Sequence, residues 1–258
     1  MVTPFAGTAI GVPLTSATTS WVRRFRPKPD AATRLVCFPH AGGSASYYLP
    51  VARGVPASVD VLAIQYPGRQ DRRHEPGIDD IERLADLVTA ELADWRDRPL
   101  ALFGHSMGAM VGYEVARRLE RDGTTPAALI ASGRRAPSRH RETSVHRLDD
   151  HGLRAELARL SGTGSELLDD VDMLNMILPA TRCDYRAVES YRHRPGPPLR
   201  SPVLALVGDQ DTEVTVTEAE AWRDHTTGAF ELRVFPGGHF YLNEHAATVL
   251  ELITRRLT

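Results

Sequence analysis

The chain has 258 residues, 42% of them hydrophobic and 25% charged, an ordinary globular composition that excludes disorder along its whole length. That length suits one or two domains, and α/β folds often run this long as one. The formal net charge of -2 provides no field to draw in nucleic acid or an anionic membrane.

Residues 1–20 are rich in Gly, Pro, Ser and Thr and read as a flexible tail. They lack the basic start and long apolar run of a signal peptide. Beyond them, short apolar runs alternate with helical spacings, the mark of a parallel sheet with crossover helices. Strands are expected at Arg34–Phe38, Val59–Ile64, Pro99–Phe103, Ala127–Ser132, Val203–Val207 and Phe230–Phe235. Helices are expected at Ile81–Trp95, Ala109–Leu119, Glu218–Asp224 and Ala246–Leu257. From about Arg134 to Pro195 the alternation stops. Helical patterns at Leu153–Leu160, Leu167–Leu178 and Ala180–Tyr191 fill the gap, and an insertion this long between core strands reads as a helical lid. The expected organisation is therefore a core of 21–133 and 196–258, interrupted by a lid at 134–195.

Residue scarcity narrows the chemistry. Only Lys28 among 31 basic residues is lysine, which removes Walker A phosphate binding and Ser-x-x-Lys hydrolysis. The two cysteines, Cys37 and Cys183, form no CxxC pair, so a zinc ribbon or a thioredoxin motif is excluded. A reducing, cytoplasmic setting is the simplest reading. No apolar stretch is long enough to span a bilayer.

Gly104-His105-Ser106-Met107-Gly108 matches G-x-S-x-G, with an apolar run before it and a helical pattern after it. A sharp strand-to-helix turn at this point would push the Ser106 hydroxyl out of the top of the sheet. A serine needs a base, and the base needs an orienting acid. Asp211 follows one late strand, in Gly208-Asp-Gln-Asp211, and His239 follows the last, in Pro236-Gly-Gly-His239. Asp209 competes with Asp211, and His225 and His245 compete with His239; position at a strand end favours Asp211 and His239. The oxyanion hole calls for two backbone N–H donors. Met107, after the nucleophile, is one, and Ala41, in Pro39-His-Ala-Gly-Gly43 after the first core strand, is the other.

The stretches LVCFPHAGG (35–43), YPGRQDR (66–72), GHSMGA (104–109), GDQD (208–211) and FPGGHFYL (235–242) together resemble the type II thioesterases, stand-alone α/β-hydrolases that accompany polyketide and nonribosomal peptide synthases. The resemblance covers the chain from about Trp21 onward. It implies an α/β-hydrolase fold with triad Ser106, Asp211 and His239 and oxyanion donors Ala41 and Met107. It also implies hydrolysis, without cofactor or metal, of stalled, decarboxylated or misprimed acyl groups from the phosphopantetheine thiol of carrier proteins. The carrier protein would be a transient partner, and a monomer is the default state. A carboxylesterase or a synthase-associated acyltransferase on the same fold is the alternative; a non-catalytic carrier-binding module is a further one.

Other features have plainer readings. His40 and His105 flank the site and read as structural histidines. Tyr47 and Tyr48 read as core. Met173 and Met176 read as the packing face of a lid helix, although with Met107 and Met110 they could line an acyl pocket. Arg23, Arg24, Arg26 and Lys28, with Arg69, Arg72 and Arg73, form either a solvated basic face or a landing surface for an acidic carrier. Asp169, Asp170 and Asp172 read as a solvated helix end rather than a cation site.

Overall fold

The computed structural model describes residues 20–161 and 171–257. The expected tail, apart from its last residue, lies outside them. So do the start of the second lid pattern at Leu167 and the pair Asp169 and Asp170. The side chains of Asp172 and Met173 are likewise outside the described set.

Seven strands form one sheet in the order β1-β3-β2-β4-β5-β6-β7. They are β1 (Val22–Arg23), β2 (Thr33–Phe38), β3 (Val59–Ile64), β4 (Leu100–His105), β5 (Ala128–Ser132), β6 (Val203–Gly208) and β7 (Phe230–Phe235). All pair in parallel except β1, a two-residue edge strand antiparallel to β3. This is the mostly parallel α/β-hydrolase sheet expected from the sequence. The five strands β2 to β6 are buried on both faces, so they read as unbroken apolar runs rather than alternating ones. Their side chains divide between two cores. Val36, Phe38 and Leu102 face one, with Leu84, Val88 and Met110; Leu35, Cys37 and Phe103 face the other, with Tyr48, Val249 and Ile253.

The helices are α1 (Leu49–Gly54), α2 (Ile81–Glu91), α3 (Met107–Arg121), α4 (Asp150–Ser161), α5 (Val171–Ser190), α6 (Val216–Glu220), α7 (Tyr241–Glu244) and α8 (Ala246–Arg255). Asp80 caps α2 by accepting from the Arg83 N–H at 2.8 Å, which sets its start where the periodicity put it. Between β5 and β6 the described residues carry α4 and α5 and no strand of the sheet. Two lid patterns meeting near Pro179 prove to belong to one helix. Pro179 sits on the exposed side of α5, where water can satisfy the carbonyl that loses its donor, so the helix runs through. Leu178, Ala180, Thr181, Asp184 and Ala187 form the packed stripe of α5. Met176 is 69% exposed, contrary to the packing role expected of it.

In the basic clusters Arg26 and Arg73 are exposed, as a solvated face requires, but the other members are engaged. Arg24 pairs with buried Asp60 at 2.7 Å, Arg23 with Asp71, and Lys28 donates to the carbonyls of Val55 and Pro56. Arg72 pairs with Glu75 and lies over the Trp21 ring, and Arg69 is buried against Asp184. Both cysteines are free thiols. No helix among the described residues is long and apolar enough to cross a membrane.

Candidate active site

The strand order reverses direction between β2 and β4: the chain leaves β2 toward β3 on one side and leaves β4 toward β5 on the other. Loops following two such strands open a crevice at the carboxyl end of the sheet. The loop after β2 is Pro39–Gly43, and the turn after β4 is the G-x-S-x-G stretch.

Ser106 stands at that turn with φ 53° and ψ -117°, a left-handed conformation that costs of order 1–3 kcal/mol for a non-glycine residue. Its N–H donates to the Ser132 carbonyl at 2.8 Å, and α3 begins at the next residue. The small residues on either side are required by contact. A Cβ on Gly104 would lie 2.1 Å from the Gly108 carbonyl oxygen, and one on Gly108 would lie 1.9 Å from the Phe38 carbonyl oxygen. The turn is thus wedged between its own helix and β2. Met107 is the first residue of the 15-residue α3, so its N–H has no partner within the helix and joins the positive end of the dipole.

His239 is 4% exposed, and its Nδ1–H donates to Asp211 Oδ2 at 2.8 Å. That bond leaves Nε2 unprotonated and available as a base. The other Asp211 oxygen accepts from the Glu213 N–H at 2.8 Å. Asp209 plays a different part: exposed, it accepts from the Gly237 N–H at 2.9 Å. With Gln210 N–H on the Gly237 carbonyl and Asp209 N–H on the Phe235 carbonyl, it ties the loop after β6 to the loop carrying His239. The rival histidines lie elsewhere. His225 bonds to Tyr113 and Ser138, and His245 to the Pro236 carbonyl.

His105 and His40 back the site. The His105 ring packs 4.9 Å from His239 and 5.1 Å from Phe240; its Nδ1 bonds to Ser132 Oγ, which in turn bonds to the Tyr241 hydroxyl. Burial holds the His105 pKa well below its ordinary value and brings that of His40 down to about 3. Both are neutral at pH 7. Tyr48 is core, as expected, with its hydroxyl donating to the Phe38 carbonyl at 2.6 Å. Tyr47 is half-buried, and its hydroxyl donates to Asn243 Oδ1 at 2.7 Å.

Most backbone groups of the Pro39–Gly43 loop are engaged. Gly43 N–H donates to the His40 carbonyl, Gly42 N–H to Asp184 Oδ2, and the Gly43 carbonyl accepts from Arg69. Among the described residues nothing accepts from the Ala41 N–H. Between α3, the segment after β5, and α5 lies a narrow cavity of about 30 Å³ lined by Met110, Arg134, Arg135, Val188 and Tyr191. Burial brings the Arg134 guanidinium down to about 10.

Of the expected site residues, the structure joins His239 to Asp211 and sets Ser106 at a strained turn ahead of Met107. The pairing of Arg69 with Asp184, which the fold brings together from positions 115 residues apart, is not expected from the sequence. The one available signal was an aspartate at the 3.6-residue spacing of the otherwise apolar face Ala180, Ala187.

A family model described as a thioesterase domain matches residues 33–257. The chain is 51% identical over 237 residues to the "Probable cadicidin biosynthesis thioesterase" of Streptomyces griseus, covering 92% of this chain and 66% of that one. It is 51% identical over 226 residues to the thioesterase PikA5 of Streptomyces venezuelae, covering 87% and 80%. Among solved structures, the type II thioesterase BorB from the borrelidin biosynthetic cluster superposes with a TM-score of 0.91 at 50% identity, covering 94% of this chain and all of that one.

Proposed function

The chain belongs to the thioesterase family, and from that premise we propose that it releases acyl groups from the phosphopantetheine thiol of carrier proteins in a polyketide or nonribosomal peptide synthase, editing stalled, decarboxylated or misprimed units. The observation that carries the reading is the bond of His239 to buried Asp211 beside the strained turn at Ser106.

In the proposed sequence, Ser106 Oγ attacks the thioester carbonyl while His239 Nε2 takes its proton. Asp211 holds the ring and stabilises the imidazolium. The oxygen that becomes negative is received by the N–H groups of Ala41 and Met107, with the α3 dipole behind them. Collapse of the tetrahedral intermediate breaks the carbon–sulfur bond, and the thiol leaves with the proton from His239. Water then attacks the acyl-Ser106 ester, giving its proton to His239. Collapse releases the carboxylic acid and returns that proton to Ser106. No step calls for a metal or a redox cofactor.

The helical insertion at 134–195 serves in this reading as the lid. Beneath α5, Met110, Arg134, Val188 and Tyr191 line a cavity of about 30 Å³, and in this reading movement of the insertion admits the acyl chain. The carrier protein is the transient partner, the enzyme acts as a cytoplasmic monomer, and the core is 21–133 with 196–258. The test is turnover of one short acyl group presented on a holo carrier protein and on a simple oxygen ester. The carrier thioester is expected to be clearly preferred.

A further inference from the structure

The loop that offers the Ala41 N–H is not held by its own strand. Gly42 has φ +73°, and a Cβ there would lie 2.4 Å from Thr181 Oγ1 on α5, so the loop is pressed directly against the insertion. Asp184, 1% exposed on the same face of α5, accepts from the Gly42 N–H at 2.8 Å. Arg69, from the loop after β3, donates to both Asp184 oxygens at 2.8 Å and to the Gly43 carbonyl at 2.9 Å. Arg69 is 6% exposed and lies over the Tyr66 ring.

These bonds fix two peptide planes on the C-terminal side of the donor. With Gly42 N–H and Gly43 C=O anchored, the Gly43 N–H reaches back to the His40 carbonyl at 2.9 Å. That carbonyl shares a peptide plane with the Ala41 N–H. A peptide is rigid, so orienting one end orients the other. A buried ion pair is a poor source of net stability, because desolvation offsets most of its attraction, whereas setting register is its best-attested use.

We infer that Arg69 and Asp184 are positioning residues that orient the Ala41 N–H toward the oxyanion, so that the oxyanion hole is complete only while α5 is seated on the core. The inference rests on the proposed acyl-serine reading. It couples that chemistry to the insertion: displacement of α5 withdraws Asp184 from Gly42 and releases the donor.

The test uses an acyl N-acetylcysteamine thioester as substrate and a trifluoromethyl ketone, whose adduct with the serine carries an oxyanion, as inhibitor. Loss of one oxyanion donor costs about 10²–10³ in kcat. Asp184→Asn keeps an acceptor but loses the charge that holds Arg69, and a smaller loss, roughly 10–100-fold in kcat, is expected on that scale, with KM within about twofold. Affinity for the ketone falls in step with kcat/KM. Because single variants leave a buried charge alone and can fail to fold, Arg69→Met with Asp184→Leu is made together. Apolar replacement of a buried pair is often neutral for stability, so this variant is expected to keep the parental Tm and still lose kcat and ketone affinity.

A folded double variant with parental kcat overturns the inference. A double variant that cannot fold does so too, since the pair would then hold the fold rather than the donor. Fluorophosphonate labelling of Ser106 in the parent separates this from failure of the underlying reading. An unlabelled parent brings down both, while a labelled parent with unaffected variants brings down this inference alone.

Discussion

Two aspartates two residues apart have separate tasks at the end of β6. Asp211 is buried and bonded to His239, whereas Asp209 is exposed and caps the Gly237 N–H. Loss of the carboxylate from a Ser-His-Asp triad removes the group that selects the histidine tautomer, at a typical cost of about 10⁴ in kcat. Asp211→Asn is therefore expected to lower kcat by about that factor with KM little changed. Asp209→Asn retains an acceptor for Gly237 and is expected to stay within a few-fold of the parent. Steady-state kinetics on any activated thioester checks both, and equal losses would mean that the two carboxylates share the work.

At the scale of elements, the turn after β4 is built by exclusion. Backbone oxygens of Gly108 and Phe38 occupy the space where side chains at 104 and 108 would begin. Neither oxygen can move without breaking α3 or β2. Gly108→Ala is expected to destabilise the protein by about 3 kcal/mol or more, as overpacking against backbone exceeds the usual cost of a crowded core. The urea midpoint reports this, provided the slope of the transition is unchanged.

Such elements are also where the sequence was most legible. β3 and β7 begin and end where their apolar runs do, and the G-x-S-x-G turn is identifiable because close packing leaves a glycine signature. Helix patterns were less complete. Two patterns around Pro179 are one helix, since a proline on a solvent-facing turn loses only a bond that water replaces. The two-residue β1 carries no periodicity to read, and its place is set by pairing with β3. Long-range ion pairs were illegible for a different reason. Arg69 looks like one of a basic trio in the chain, and only the fold reveals that it meets Asp184 in the interior. The candidate triad is accessible in the sequence because its members occupy strand ends, which local patterns locate. Their support comes from helices whose packing no local pattern encodes.

Across the whole molecule, buried neutral histidines link stability to pH. Burial lowers His40 to about 3, His225 to about 4, and His105 well below its ordinary value. Above pH 6.5 these groups are neutral in both folded and unfolded chains and cost nothing. As pH falls below 6.5, the unfolded chain takes up protons that the folded chain refuses, so stability drops. Each such histidine contributes a slope of up to about 1.4 kcal/mol per pH unit until its folded pKa is reached. The urea midpoint is expected to fall steadily from pH 6.5 toward pH 4.5. His225→Gln, which lies away from Ser106, is expected to flatten that slope by the share of one histidine. A slope unchanged by His225→Gln would show that this group is not held neutral by the fold.

The same molecule-wide view joins the sheet, the insertion and the partner. In the proposed reading the crevice at the strand reversal holds the chemistry and the insertion is its lid, so the substrate arrives in a form that can reach beneath α5. A thioester on a flexible carrier arm has that form. The most direct measurement is hydrolysis of one short acyl group on a holo carrier protein and on a simple oxygen ester, with Ser106→Ala alongside. Clear preference for the carrier thioester is expected, with loss of that turnover in Ser106→Ala. Equal or better turnover of the ester, or carrier turnover that survives Ser106→Ala, would contradict the proposed function.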